Sequence, residues 1–474
     1  MKLIYRTVQL YFPVITIILS FLFVNEQSCF AERTKKYEKR IPVRLGQGIT
    51  IANFSHTDFN VKYHDKQEVY YNFTVRIESS DDDDESEFID SFYVRDRSSD
   101  KEIIIQMVDR APANEKSDVT IFGIDFGEEF SKSCKGEIYI PQSAWLHVGV
   151  RSCKLSVEDM PQETKIMGDY NTITAKNCKN IKNITNKYGT VRLYSCLGYP
   201  IALEGRNGTY SSQNSNDITI NAPYSKIEVY DVNGKAEIQS RSGTIRAKSI
   251  NQGLMCTADY SSITLEKIKS KISVSSKSAT LNISEAEALS VDADYSTIGI
   301  RKVQSVDSLY GVEIVSRSST IRLDDIAAKT DIESPFSTIG LRDLRGNVTI
   351  IGKSSTVNGA RLTGNIDIVS DGGGVELREV RAKNIHTETT GGKIRYSLQQ
   401  HPEKLSLYAE QGTVVVIMPP GFDGELHLSC SKEIESNLEC ITSSTKTRRF
   451  DGKSKTGKKS FVTIRSSTLR FDEN

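Results

Sequence analysis

Residues that could carry catalytic or metal chemistry are scattered along this sequence. The six histidines, at positions 56, 64, 147, 386, 401 and 427, form no HExxH or HxH pattern. The sequence also contains no Cys-x-x-Cys pair, no GxSxG, no phosphate-binding Walker A loop and no dinucleotide-binding glycine pattern. We therefore expect no enzyme activity, no metal site and no cofactor.

The cysteines offer one candidate for redox chemistry. Seven of the eight cysteines follow residue 31, and Cys430 and Cys440 lie ten residues apart near the C-terminus. We expect these two to form a disulfide if the compartment is oxidising. Because seven is odd, at least one cysteine must stay unpaired or join another molecule.

Aromatic side chains form a regular pattern with binding chemistry. They recur at nearly even intervals, with serines at the intervening positions, as Tyr224, Tyr260, Tyr295 and Phe336. Such a row is typical of a surface that binds a carbohydrate or a protein partner, although rings can also recur simply because repeated units pack on each other. The residue before each position alternates in charge, as in Arg241, Asp259, Lys277 and Asp294. Opposite charges on neighbouring repeats should attract and favour the correct register.

An internal repeat of about 18 residues must position this aromatic row. Apolar residues that we call the anchors mark the repeat at nearly constant separations: Leu155, Ile173, Val191, Tyr210, Ile227, Ile245, Ile263, Leu281, Ile298, Ile321, Ile339, Val357, Val375 and Ile394. A second alternating burst follows about eleven residues after many anchors, which indicates a second short strand in each repeat. The repeat predicts a parallel β-solenoid, in which each repeat is one coil and the strands of neighbouring coils pair in register.

The residues before each anchor predict which side chains face the core. The residue two before the anchor is nearly always small, for example Ser261 and Ser296, which indicates a tight corner that faces inward. The residue directly before the anchor is often Thr, for example Thr297, and should face outward because side chains alternate along a strand.

The first residues are typical of an export signal. Lys2 and Arg6 precede an apolar segment at 14–24 and then the small residue Ala31, a pattern that predicts a secretory signal peptide over 1–31. An uncleaved membrane anchor is the alternative. Since no later apolar run is long enough to span a bilayer, we expect no membrane span after signal cleavage.

The two ends of the mature chain lack this repeat. We predict an N-terminal β cap over 32–136 that carries the acidic loop DDDDESE, the solenoid over 137–400, and a C-terminal β module over 401–474. The chain has 61 Lys and Arg against 61 Asp and Glu, so no net charge favours a nucleic-acid partner.

Three stretches carry a family resemblance: Gln47-Gly-Ile-Thr-Ile-Ala-Asn53 near the start, Ser242-Gly-Thr-Ile245 in the repeats, and Val414-Val-Val-Ile-Met-Pro-Pro-Gly421 near the end. Together they resemble an uncharacterised family of bacterial envelope β-solenoids that are labelled adhesins of the auto-transporter head type. This resemblance implies an all-β solenoid and, by analogy, adhesion at a cell surface.

These observations favour a non-enzymatic monomer that is secreted, periplasmic or at the cell surface, where it serves as an adhesin or scaffold and binds a glycan or a cell-surface protein. Parallel β-helices also host polysaccharide lyases and hydrolases, so a polysaccharide-acting enzyme is one alternative. In such an enzyme, long insertions on several coils build the groove, and here only the 23-residue interval from Ile298 to Ile321 departs much from the mean of about 18. A self-assembling filament is the other alternative, because stacked coils expose strand edges unless they are capped.

Overall fold

The computed structural model describes residues 31–79, 89–90, 92–109, 120–121, 124–125, 131–305, 311–432, 434–442, 448–456 and 459–474. The signal peptide predicted for 1–31, apart from Ala31, and the acidic loop lie outside these ranges, as do residues 306–310 of the longest repeat. The chain divides into two compact units, Met1–Ser156 and Val157–Asn474.

Strands make up 72% of the chain, and a parallel β-solenoid of about 15 turns, with successive turns about 18 residues apart, lies between residues 146 and 417. This confirms the all-β solenoid predicted from the spacing of the anchors.

The strands of the first unit are β1 (Ala31–Pro42), β2 (Gly48–Ser55), β3 (Thr57–His64), β4 (Glu68–Ser79), β5 (Phe92–Ser98), β6 (Glu102–Asp109), β7 (Thr120–Ile121), β8 (Ile124–Asp125), β9 (Ser131–Pro141) and β10 (Leu146–Arg151). Strand β11 (Lys154–Glu158) includes the division between the units.

Mixed pairing and an aromatic cluster organise the first unit. Strand β4 pairs antiparallel with β1 and β9, and β3 pairs parallel with β9. Strand β2 pairs parallel with β6 and β10, while β5 and β6 are antiparallel. The rings of Phe54, Phe59 and Phe73 are buried, with centroids 5.1 to 6.2 Å apart. These aromatic contacts form the centre of the core of this unit.

The second unit contains β12 (Thr164–Asp169), β13 (Thr172–Lys176), β14 (Ile181–Lys187), β15 (Thr190–Cys196), β16 (Ile201–Arg206), β17 (Thr209–Ser215), β18 (Ile218–Asn221), β19 (Lys226–Val232), β20 (Ala236–Arg241), β21 (Thr244–Ile250), β22 (Leu254–Asp259), β23 (Ser262–Lys277), β24 (Thr280–Asp294), β25 (Thr297–Gln304), β26 (Val312–Val315), β27 (Thr320–Ala327), β28 (Thr330–Glu333), β29 (Thr338–Arg345), β30 (Val348–Ile351), β31 (Thr356–Thr363), β32 (Ile366–Val369), β33 (Val375–Val380), β34 (Asn384–Thr389), β35 (Lys393–Leu398), β36 (Lys404–Met418), β37 (Gly424–Cys430), β38 (Ile434–Ser436), the short helix α1 (Glu439–Thr442), β39 (Arg449–Ser454) and β40 (Ser460–Glu473).

Anchors pair with anchors in the solenoid of this unit. Ile227, Ile245 and Ile263 are in register on β19, β21 and β23, and all three side chains are fully buried. The second strands pair in the same way, so that Cys256 of β22 lies between Ile238 and Val274. The predicted register is therefore confirmed, and the apolar core continues from coil to coil.

From the anchor Leu155 to the anchor Val375, each coil turns at two residues that adopt a left-handed backbone conformation. The first corner lies three residues before the anchor and the second corner four residues after it, for example Tyr260 (φ 53°) and Lys267 (φ 56°) around Ile263. Few residues other than glycine adopt positive φ. The next coil helps to hold the first corner, since the Tyr260 N–H donates a hydrogen bond of 2.8 Å to the Lys277 carbonyl.

Where the small residue two positions before the anchor is a serine, it forms hydrogen bonds in addition to fitting the tight corner. The hydroxyl of buried Ser296 accepts a hydrogen bond from the Ala279 N–H of the preceding coil (3.1 Å) and donates one to the Asp294 carbonyl (2.8 Å). The hydroxyls of Ser319 and Ser337 accept from backbone N–H groups in the same way, each at 3.0 Å. These serines satisfy buried amides that would otherwise be unpaired.

The last strands of the second unit pair with one another beyond the repeats, and the predicted C-terminal module over 401–474 stays a prediction. Strand β36 pairs parallel with β40, and β37 pairs parallel with β40 and antiparallel with β39. Leu407, Val416 and Phe471 on these strands are fully buried.

Candidate functional site

The structure places Tyr224, Tyr260, Tyr295 and Phe336 on one corner of the solenoid. Each is a first-corner residue with φ between 53° and 58°, and each is 44 to 52% exposed. They occupy alternate coils, so that neighbouring rings are two coil steps apart, or about 9.6 Å. We call these four residues the aromatic ladder.

Hydrogen bonds fix the backbone of the aromatic ladder. The N–H of Tyr224 donates to the Arg241 carbonyl at 2.7 Å, and the same bond from Phe336 to Lys353 measures 2.7 Å. The next coil holds the backbone under each ring. The conformational entropy lost on ligand binding would therefore be little more than that of the ring side chain itself.

Basic side chains lie over the rings. The guanidinium carbons of Arg206 and Arg241 are 5.7 and 5.8 Å from the ring centroids of Tyr224 and Tyr260, and Lys277 Nζ is 6.0 Å from that of Tyr295. Each cation belongs to the coil before its ring, where the first corner carries Asn or Ser. A small corner residue therefore leaves room for the cation, which the ring attracts electrostatically.

The structure places the predicted charge alternation along the first corner. Position four before the anchor is basic on alternate coils across ten coils, as Arg206, Pro223, Arg241, Asp259, Lys277, Asp294, Arg317, Pro335, Lys353 and Asp371. Among the described residues, these cations form no ion pair with the aspartates of neighbouring coils. Opposite charges do lie in register on neighbouring coils, as Arg241 opposite Asp259 and Lys277 opposite Asp294, and the expected attraction between them stays a prediction.

A row of hydroxyls lies beside the aromatic ladder. Thr280, Thr297, Thr320, Thr338 and Thr356 directly precede their anchors, pair in register on successive coils and are at least partly exposed. This confirms their predicted outward orientation. The corner thus offers aromatic rings, cations and hydroxyls along one line.

Two further rings lie at the same corner and were not predicted from the sequence. Tyr170 and Tyr188 are first-corner residues of earlier coils, 52% and 42% exposed, and their rings stack with centroids 5.1 Å apart and planes 16° apart. Their position three before the anchors Ile173 and Val191 was the available signal. They lie on adjacent coils and so do not follow the alternation that revealed the other four.

A shallow cleft of about 700 Å³ is lined by residues of β27, β29, β31 and β33, among them Gly340 and Ala360. Its carboxylates are tied to arginines: Asp324 to Arg342 Nε at 2.7 Å and Glu376 to Arg378 Nε at 3.0 Å. These hydrogen bonds lower the pKa of both carboxyl groups. A glycosidase needs one carboxyl whose pKa is raised so that it can donate a proton, and these two are shifted in the opposite direction.

The Cys430–Cys440 disulfide stays a prediction. Cys430 is buried at the end of β37, with its Sγ 2.9 Å from the Lys432 carbonyl oxygen, and Cys440 is partly exposed in α1. Partial burial raises the pKa of the Cys440 thiol.

Within the described part of the chain, helices are too short or too polar to cross a bilayer.

Comparison with known proteins does not place the chain in a family. No family model matches the sequence, and no curated protein matches it either. Among solved structures, it is similar to a putative cell adhesion protein from Clostridium sporogenes at 12% identity, over 42% of this chain and 99% of that chain, with a TM-score of 0.29.

Two other similar structures come from the genus Parabacteroides. A putative adhesin from P. merdae is 10% identical over 76% of this chain and 96% of that chain, with a TM-score of 0.17. A putative adhesin from P. distasonis is 11% identical over 76% of this chain and 97% of that chain, with a TM-score of 0.14. At these values, neither these structures nor the Clostridium protein assigns a function to this chain.

Proposed function

We propose that this protein is an exported, non-enzymatic monomer that acts at the cell surface or in the periplasm as an adhesin or scaffold, and that it binds a glycan chain along the aromatic ladder. The observation that carries the proposal is the regular spacing of half-exposed rings on a rigid backbone. Aromatic rings stack on the apolar faces of sugars, and the neighbouring threonine hydroxyls can bond sugar hydroxyls.

Spacing favours a polymer over a compact ligand. The aromatic ladder extends over six coil steps from Tyr224 to Phe336, or about 29 Å at the usual strand spacing. A glycan chain that lies along this corner would meet an equivalent ring every two coils. Each contact would be weak, but several simultaneous contacts make the total affinity useful for adhesion.

Serine substitution tests the aromatic ladder without disturbing the corner. We expect Tyr260→Ser/Tyr295→Ser to fold, because Ser242 and Ser278 adopt the same positive φ on the intervening coils. Loss of two stacking rings should weaken glycan binding about tenfold. A glycan array, followed by affinity measurement and a whole-cell binding assay, provides the readout.

The matched control is Tyr194→Ser/Tyr199→Ser, which removes two tyrosines that are 37% and 60% exposed and lie off the aromatic ladder. Its binding should equal that of the unmodified protein. Equal losses in both double variants, or no glycan binding at all, would contradict the proposal. Release of new reducing ends from any array glycan would instead establish the polysaccharide-acting enzyme.

A further inference from the structure

The basic residues at the corner of the aromatic ladder have no described carboxylate within ion-pair distance, which is also true of other solenoid cations such as Lys267 and Lys302. Five exposed cations, which we call the cation row, occupy alternate coils: Arg206, Arg241, Lys277, Arg317 and Lys353. None of them forms an ion pair with a described carboxylate. They therefore keep their charge available to a ligand.

Elsewhere in the same unit, cations and carboxylates of neighbouring coils pair closely. Lys182 Nζ lies 2.6 Å from Glu163, and Arg361 Nε lies 2.6 Å from Asp343. The Lys165 and Lys182 ammonium groups lower the pKa of Glu163 to about 2. The fold thus forms ion pairs between coils at some positions, whereas three members of the cation row approach aromatic rings instead, at 5.7 to 6.0 Å from the ring centroids.

Position and spacing connect the cation row to the glycan contact. The row extends over eight coil steps, about 38 Å, with a cation every two steps, or about 9.6 Å. Rings and cations alternate along the same corner, so a chain stacked on the rings passes every cation. Two of the three carboxylates in the same line, Asp259 and Asp294, are less exposed than the cations, and the third, Asp371, is exposed on the coil after Lys353.

From these observations we infer that the ladder's ligand is an acidic polysaccharide that carries one carboxylate or sulfate per disaccharide. This inference rests on the proposed glycan binding and specifies its chemical class. Arg and Lys would contact the acidic groups while the rings contact the sugar faces, which combines charge-assisted hydrogen bonds with stacking.

Hyaluronan, with one carboxylate per disaccharide, and carboxyl-reduced hyaluronan are matched probes for this inference. We expect the acidic polymer to bind the full protein at least about tenfold more tightly, and the difference to shrink between about 0.05 and about 0.5 M NaCl as the Debye length falls. Equal affinity for the two polymers would overturn the acidic preference but leave glycan binding intact.

Charge-matched variants locate the contact. Arg241→Gln/Lys277→Gln should weaken hyaluronan binding about tenfold, whereas Lys267→Gln/Lys302→Gln, which removes two exposed cations at the second corner, should leave it within about twofold. Equal losses of hyaluronan affinity in both variants would show that the polymer is attracted by the overall positive charge and makes no specific contact with the cation row. That result would overturn the inference. If neither polymer binds but a neutral glycan on the array does, this inference is overturned and the proposed function stands. If no glycan on the array binds, the proposed function is overturned as well.

Discussion

Replacement of Tyr210 by alanine is expected to lower the free energy of unfolding by about 3 to 5 kcal/mol. Tyr210 is the only aromatic anchor, and its ring is fully buried. Gly205 and Gly208 make room for it: a Cβ on Gly205 would lie 2.0 Å from the tyrosine oxygen. Alanine would leave a cavity that neighbouring rigid coils could close only in part, and urea denaturation followed by circular dichroism would measure the loss.

The hydroxyl of Tyr210 should account for a separate part of this effect. It donates a hydrogen bond to the Asn186 carbonyl (2.6 Å) and accepts one from the Arg206 N–H (2.8 Å). Tyr210→Phe keeps the ring and should cost about 1 to 3 kcal/mol, because both backbone groups lose a partner. Tyr199→Ala, at an exposed tyrosine, should stay within about 0.5 kcal/mol. A Tyr210→Ala protein as stable as the Tyr199→Ala protein would contradict the assigned core.

A second large effect is expected from Ser296→Leu, compared with its neighbour Thr297→Leu. Ser296 is 4% exposed at the inward corner, whereas Thr297 faces solvent. Leucine at 296 must overpack the corner, at a cost of about 1 to 3 kcal/mol, and it also removes the acceptor of the Ala279 N–H. Leucine at 297 should change stability within about 0.5 kcal/mol.

Ser296→Ala separates the two parts of that loss. Alanine fits the corner, as Ala279 shows in the preceding coil, but lacks the hydroxyl. We expect a loss of about 1 to 3 kcal/mol for the unpaired buried amide, and a larger loss for Ser296→Leu. Urea midpoints that fall equally for Ser296→Leu and Thr297→Leu would show that the inward and outward phase is wrong.

The sequence was sufficient to predict the coil and its register because every coil must bury apolar side chains at the same positions in order to stack on its neighbours. Ile245 and Ile263 had to occupy equivalent positions, since a shift by one residue would turn every apolar side chain outward. The first unit offered no such repetition. The pairing of β4 with β1 and β9 joins segments that are distant in sequence, and no local pattern specifies those partners.

The residues of the aromatic ladder could be predicted from the sequence, but the contacts that they make could not. The alternation of Tyr260 with Ser242 was visible, yet the approach of Arg241 to the ring depends on the left-handed corner, which the sequence did not reveal because Tyr and Ser rarely adopt it. The role of the Ser296 hydroxyl was hidden for a similar reason. Its donor is a backbone N–H of the preceding coil, and backbone groups leave no trace in the sequence.

Hydroxyl-radical footprinting of the protein with and without its tightest array glycan tests the central claim most directly. Oxidation of each exposed aromatic side chain is measured by mass spectrometry. We expect the glycan to protect Tyr224, Tyr260, Tyr295 and Phe336 together, because one chain lies along all four, and to leave Tyr63 and Tyr199 unprotected although they are 41% and 60% exposed. Protection of Tyr63 or Tyr199 with none of the aromatic ladder would contradict the claim that this corner is the binding surface.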